Sequence, residues 1–534
     1  MKAGGRVGGC ARALTVLLLT AALPDRLSAQ SLWRPDERVL ISDFSYVRAI
    51  AASPTLVFAA TTHGLTIYDR LARAWQLPVT VLDGYPIAPV RAALADLVGN
   101  AVWLGTDQGW ARYDADVRRW DAGYAAGGVS NLMLDAADPA SGVYLLTGTG
   151  WSFLPRGMLT PIAGQPLPAP GRRLVPLTPE AALQMAPTAD ALRAFLLTDA
   201  RLRTVQFTCA TRTPDRSDLF FGTSGMGVAR FDATTTEREP LPFGLLAPAA
   251  GAVALGTNGV WVASLSRVGE RSGLTWVADD LTAANTFQGT GVAGFGCLEG
   301  RRLLTDASFL WLACERGVLK IDVEGDRSRL FEARGVLPDA VLSLAPASGG
   351  VWVGTARGLA RITPDDRVVT VGAFTHPVLS LLAVHDSLWV GTTAGLGLLR
   401  DGDDEVGVPP EIADQASLHA PILALAAVGA MLVAVTPDQF AWRDPATNRW
   451  TLVHARTDLG AITALAADPG DGGVWIAGTT GLAFWELPRG TFHVLRAPDD
   501  VPAAVHGVAV DSRYVWVATD GGLVRFTRSA ALAR

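Results

Sequence analysis

Near copies of one stretch, Val351-Trp352-Val353-Gly354-Thr355 followed by Gly358-Leu359, return from one end of the chain to the other about every forty residues. A repeat of that length limits the fold severely, because so short a unit cannot bury its own apolar faces and must stack on its neighbours. In each copy an apolar run of strand formers ends at a tight turn, and a glycine opens a second apolar run, as in Gly358-Leu359-Ala360-Arg361-Ile362. That glycine is expected at the positive φ which a short connection between antiparallel strands needs. Aligned on it, the turn glycines are Gly64, Gly109, Gly150, Gly227, Gly273, Gly317, Gly358, Gly395, Gly481 and Gly522, with a degraded copy around Asp438, so eleven units result. The second place of the preceding run holds Phe58, Trp103, Tyr144, Phe220, Trp261, Trp311, Trp352, Trp389, Trp475 or Trp516, with Leu432 in the degraded copy, a column expected to be core. A further apolar segment lies upstream (Val341-Leu342-Ser343-Leu344) and often a fourth downstream (Asn448-Arg449-Trp450-Thr451-Leu452). Four short strands per unit at this period predict an all-β fold, a β-propeller of about eleven four-stranded blades.

Propellers usually close with four to eight blades. Eleven therefore reads as two rings in tandem, blades 1–5 over residues 46–290 and blades 6–11 over 291–534; one large ring satisfies the same pattern and is the alternative. Residues 30–45 carry Arg38-Val39-Leu40-Ile41, a strand without a blade, while the last blade shows only three strands before the chain ends. The first is expected to complete the last and so remove an open edge. The period breaks between Gly150 and Gly227. There a Pro-rich stretch and a helix capped by Thr188, running through Leu192, Phe195 and Leu196, form an insertion over 164–202, read as a surface element packed on a blade side or as a docking element.

With these residues in place, the stretch from Gly335-Val336-Leu337-Pro338-Asp339-Ala340-Val341 through Gly358-Leu359 resembles the two-component regulator propeller repeat, and the pattern returns less completely in 468–477 and 511–522. The resemblance implies the extracytoplasmic sensor part of a bacterial hybrid histidine kinase, with a ligand such as a glycan fragment. The sequence stops at Arg534, twelve residues past Gly522, so the expectation is the sensor propeller without the kinase part.

The N-terminus agrees with export. Lys2, Arg6 and Arg12 precede the apolar run 13–23 and then Leu27-Ser28-Ala29, which are the three parts of a secretory signal peptide over residues 1–29. A periplasmic or secreted mature chain follows. The run 13–23 is too short for a bilayer that needs about 20 residues, and a second apolar run, 422–435, reads as a hairpin, so no membrane span is expected in the mature chain. The net charge of -6 and singly scattered arginines give no basic footprint, which argues against a nucleic-acid partner. In an oxidising compartment Cys297 and Cys314, placed on adjacent strands of blade 6, could form a disulfide, or remain separate buried thiols like Cys209.

In a propeller the turns between second and third strands share one face with the connections between blades. The turns place His63, Asp107, Glu315, Arg316, Arg357 and Asp520 there. The connections entering successive blades add His376, His419, His454 and His506, with Asp414, Asp458, Asp499 and Asp500. Imidazoles and carboxylates converging at a channel mouth are what a divalent metal or a general acid/base site would require. No cofactor is expected otherwise, and the lack of a nucleophile elbow, Cys-His pair or HExxH argues against an enzyme. Trp110 and Trp151, directly after turn glycines, could stack on sugars or begin the third strands. The reading is a non-catalytic propeller that binds a small molecule or a partner protein on its loop face. Its alternative is a propeller lyase or hydrolase with a His/carboxylate site, since streptogramin and polysaccharide lyases resemble this repeat.

Overall fold

The computed structural model describes residues 33–534 except 136, 167–176, 186–196, 200–202, 234, 236, 289–294, 307, 323, 325–326, 373, 375, 414, 456, 471, 488 and 503. The expected signal peptide and the helix expected from Thr188 lie outside the described residues. Eleven antiparallel sheets follow one another as blades 1 (47–75), 2 (90–124), 3 (131–163), 4 (207–241), 5 (250–287), 6 (302–332), 7 (341–370), 8 (378–400), 9 (424–454), 10 (462–496) and 11 (505–527). Each blade is a meander of four strands with the first innermost. Blade 8 has three, its edge strand Gly395–Arg400 meeting a single bridge between Leu398 and Gly407. Blade 11 takes its outermost strand from the opposite end of the chain: Arg38–Ile41 pairs antiparallel with Gly522–Thr527, Leu40 opposite Val524.

The turn glycines are required for two different reasons. Gly358 and Gly522 do adopt positive φ, +119° and +128°. At Gly64 and Gly481 φ is ordinary, and the constraint is room: a Cβ would stand 2.8 Å from the Val79 carbonyl oxygen or 2.5 Å from that of Leu495. The strand that follows the turn begins against its outer neighbour, and only hydrogen fits between them.

The packing of the inner strands divides the blades as four and seven, not as five and six. The inner strand of blade 5, Ala250–Gly256, lies against those of blade 6 and of blade 11, Val505–Val510, so blades 5 to 11 close a seven-membered ring. Blades 1 to 4 form a second set, packed in the order 3–2–1–4. Nor are the two sets in tandem. The chain gives its first strand to blade 11, leaves to build the four-blade set, and only then enters blade 5, so the set of four is nested inside the ring's own sequence. Where the sets meet, one apolar cluster joins Val39, Phe44, Tyr68, Phe220, Phe243, Val253 and Trp516 from blades 1, 4, 5 and 11 and the segments between. Polar ties cross the same junction. Arg38 donates to the carbonyls of Asp499 (2.6 Å) and Leu82 (3.0 Å), and Arg271, in the long turn of blade 5, meets Asp43 at 2.7 Å and the Gly225 carbonyl at 2.7 Å.

The insertion contributes packing. Its helix Pro179–Met185, begun by Thr178 accepting from the Ala181 amide, buries Ala182 and Leu183 against Ala210, Phe221 and Phe231 of blade 4. Phe220 faces blade 1, so by the alternation of strand side chains the helix covers the face of blade 4 turned away from blade 1.

Most of the aromatic column is core: Phe58, Phe220 and Trp516 are fully buried, and Trp103, Trp311, Trp389 and Trp475 nearly so. Tyr144, Trp261 and Trp352 depart from that expectation and are only half-buried; Trp352 lies under the Arg361 guanidinium, 5.4 Å from its carbon. Two of the buried indoles belong to a latch between blades. Asp468, on the turn after the inner strand of blade 10, accepts from Trp475 Nε1 (3.1 Å) and from Arg528 Nε (2.6 Å), which follows the last strand of blade 11. Asp96, Trp103 and Arg156 repeat the arrangement between blades 2 and 3, at 3.3 and 2.8 Å. Burial, the largest single influence, opposes ionisation of both carboxyls, but the arginine charges and the arginine, backbone and, for Asp468, Trp475 hydrogen bonds together outweigh it and hold both below the ordinary Asp range.

Three outcomes follow. Replacing Leu40, 3 % exposed, by Asp buries a carboxylate where the ring closes and should lower the melting temperature and promote association through the freed edge of Gly522–Thr527; a variant that melts with the parent contradicts strand closure. Asp468→Ala should cost about 3 kcal/mol, the lower part of the range for a broken buried pair, because Arg528 keeps some solvent contact. Since the folded pKa of Asp468 and Asp96 lies below the unfolded one, their contribution is full above about pH 4 and is lost as pH falls toward the folded value. Denaturant titrations between neutral and acid pH should therefore fall less steeply in Asp468→Asn than in the parent.

Candidate functional site

The inner strands of all seven ring blades line a cavity of about 210 Å³ at the centre of the ring. Its walls come from the beginnings of those strands, the ends that adjoin the connections between blades, so the cavity lies toward the loop face. A recurrent irregularity shapes it. In eight of the blades the inner strand bulges after its first residue, as between Val378 and Ser380, Ile462 and Ala464, or Val505 and Gly507. The extra residues of these three, Leu379, Thr463 and His506, all border the cavity, which is how a bulge re-aims a side chain.

Two polar groups at the mouth are paired within the face. His506 Nε2 lies 2.6 Å from Asp520 Oδ1, joining the entry of blade 11 to its own turn, and Arg301 donates to Glu299 at 2.7 Å. Deeper in stands Arg302 of blade 6. It donates to its neighbour's carbonyl, Arg301 O, at 2.9 Å and, across the channel, to Thr463 O of blade 10 at 3.0 Å. Protein atoms surround it while the channel leaves it some solvent contact, and this burial lowers the guanidinium pKa from its ordinary value. Thr463 Oγ1 is buried and has no hydrogen-bond partner among the described residues.

Of the residues read from the sequence, only His506 and Asp520 are brought together as an imidazole–carboxylate pair. His376 is exposed and stacks edge-on with Phe374 at 5.8 Å; His419 is exposed, its Nε2 3.3 Å from the Ala413 carbonyl; His454 ends the outermost strand of blade 9. None of these three is bonded to a carboxylate among the described residues, and Asp414 lies outside them. Asp458 is held by Arg496 at 3.2 Å. Asp500 accepts from Trp33 Nε1 at 3.0 Å and its carbonyl, like that of Asp499, faces Arg38.

The turn residues prove to be ties within the face. His63 Nδ1 meets the Asp43 carbonyl at 2.8 Å, Asp107 pairs with Arg91, and Arg357 reaches Asp339 at 4.0 Å. Glu315 accepts from the amides of Leu298 and Glu299, both at 2.9 Å, and Arg316 donates to the Gly296 carbonyl at 3.1 Å. These two bind the connection that Cys297 enters. Cys297 is joined by a disulfide to Cys314, though Cys297 stands ahead of the inner strand and not on it as the sequence suggested. Trp110 is 3 % exposed and packs on Trp103 at 5.6 Å, so it is core; Trp151 is half-buried in its strand. Among the described residues no group of three or more His, Cys, Asp or Glu stands close enough to hold a metal ion.

Arg302 was not marked by the sequence, although a signal for it exists. By strand register it faces Ala313, as Ala252 faces Ala263, Ser343 Gly354, Ser380 Gly391, Ala464 Ala477 and Gly507 Ala518. A long cation at a position that is otherwise small becomes visible only once the blades are aligned by register.

No protein-family model matches the chain, and no curated protein matches it. Solved structures do. The extracellular domain of a putative hybrid two-component system from B. thetaiotaomicron is similar over 90% of this chain and 70% of its own, at 11% identity and a TM-score of 0.42. A second such domain from the same organism is similar over 92% and 82%, at 12% and 0.25. Virginiamycin B lyase from Staphylococcus aureus is similar over 52% and 95%, at 13% and 0.42. The structures that the chain is similar to thus include extracellular domains of putative two-component systems and a lyase. Among the described residues no helix is long and apolar enough to cross a membrane.

Proposed function

We propose that the protein is an exported propeller of the sensor or scaffold type that takes a small ligand at the mouth of its seven-blade channel. The observation that carries this reading is the cavity itself. Seven strands from seven repeats converge on it, and the bulges of three of them bring Leu379, Thr463 and His506 to it, next to the His506–Asp520 pair. Export is supported by the order of basic, apolar and small-residue segments in residues 1–29. A fragment of a glycan is the ligand that the repeat's resemblance implies, and the volume, about seven waters at ~30 Å³ each, admits roughly one sugar unit or the end of a longer chain.

The same pair supports a second reading, a lyase or hydrolase in which Asp520 orients His506 as a general base. One titration separates the two. Calorimetry of the mature chain with a panel of neutral and acidic oligosaccharides should give binding without turnover, weakened about tenfold (~1.4 kcal/mol) by His506→Ala or Asp520→Asn. Binding indifferent to both variants, or no binding across the panel, contradicts the proposal. New products by mass spectrometry that disappear in His506→Ala establish the enzyme instead.

A further inference from the structure

The charges that border the cavity are not balanced. Arg301 has Glu299 and His506 has Asp520, but among the described residues no carboxylate is bonded to Arg302. It donates to two carbonyl oxygens, which use only part of a guanidinium's five N–H donors and supply no counter-charge. An enclosed cation without an anion is costly, and replacing such a group by an apolar one is often neutral or stabilising. As a girder Arg302 would therefore be a poor choice, since the equivalent places in the other ring blades hold small side chains, apart from Leu425, and the ring still closes. Thr463, which borders the cavity and whose backbone carbonyl takes the Arg302 bond across the channel, carries a hydroxyl that is buried without a partner among the described residues.

We propose that the ring channel is an oxyanion site, in which the Arg302 guanidinium and the Thr463 hydroxyl take the oxygens of a small carboxylate or phosphate. A guanidinium's paired N–H groups match either anion. At about 210 Å³ the cavity is smaller than the ~300–1000 Å³ of drug-sized sites, so the anionic group enters alone or as the acidic end of a sugar. The inference deepens the ligand-binding reading and rests on it for the way in, past Arg301 and His506, but not for the contacts made.

Thermal melting of the mature chain at fixed ionic strength tests it, with sodium acetate, sodium D-glucuronate or inorganic phosphate replacing part of the chloride and D-glucose as the neutral control. A saturable rise in Tm is expected with at least one of the three anions and none with glucose, and the anion that acts tells carboxylate from phosphate. Arg302→Met should abolish the rise, and Arg302→Lys, which keeps the charge and loses the fork, should weaken the apparent Kd about tenfold. Should Arg302→Met fail to fold, Thr463→Val must weaken the response. The proposal is overturned if no anion acts beyond chloride, or if the rise persists in Arg302→Met or is unchanged in Thr463→Val. Oligosaccharide binding at the mouth with no anion effect would sink this inference alone; an anion effect without oligosaccharide binding would sink only the earlier reading.

Discussion

Face-to-face packing of apolar strands between blades is the interaction on which everything else depends. The second strand of most blades is buried on both faces, as the uninterrupted burial of Leu310–Cys314 and Gly473–Gly478 shows, so such a blade with one face uncovered would expose a core. Hydrophobic burial at about 25 cal/mol per Å² rewards every covered face. Most blades therefore find two covers, and the architecture follows from how this chain supplies them, with blade 3 at the end of its set covered by blade 2. In the ring, blade 11 finds blade 5; in the four-blade set, blade 4 finds blade 1 on one face and the helix Pro179–Met185 on the other.

Nesting the four-blade set inside the ring has a physical consequence. The closing strand Arg38–Ile41 and the inner strand of blade 5 are the two places where the chain passes between the sets, and both lie in the shared cluster around Phe44, Phe243 and Trp516. The buried Arg38, bonded to carbonyls from blade 10's trailing connection and from the connection after blade 1, ties the same place with polar contacts. Ring closure and attachment of the second set are thus one event in the packing, and blades 7 to 9 stand on the far side of the ring.

Much of this could be read from residues alone. The turn glycines and the aromatic column gave the blades, and the orphan strand at Arg38 matched a last blade short of one strand. The division of blades was hidden, because the inner strands that choose partners are nearly alike: Val378-Leu379-Ser380-Leu381 and Val505-His506-Gly507-Val508 carry the same pattern, and neither says which blade stands beside it. The histidines were harder still. Position in a connection does not set direction, so only His506, carried by a bulge in the strand and not by a free loop, reaches the cavity. Arg302 escaped notice because a lone arginine before an apolar run looks like any strand end until register places it.

The seven-membered ring is the central claim, and a cross-link between its first and last blades tests it most directly. A Cβ on Gly507 of blade 11 would stand 3.7 Å from the amide nitrogen of Val253 in blade 5, and Val253 turns its side chain into the cluster it shares with Trp516 and Ala518 of blade 11, which suits a disulfide between the two positions. Cys209 should not compete, since burial pushes its thiol pKa up to about 11. The account predicts that the double variant Val253→Cys, Gly507→Cys gains an intramolecular disulfide under mild oxidation of the folded protein, seen as a two-hydrogen mass loss and a faster band on a non-reducing gel. A folded double variant that keeps both thiols free would place blades 5 and 11 apart and contradict it.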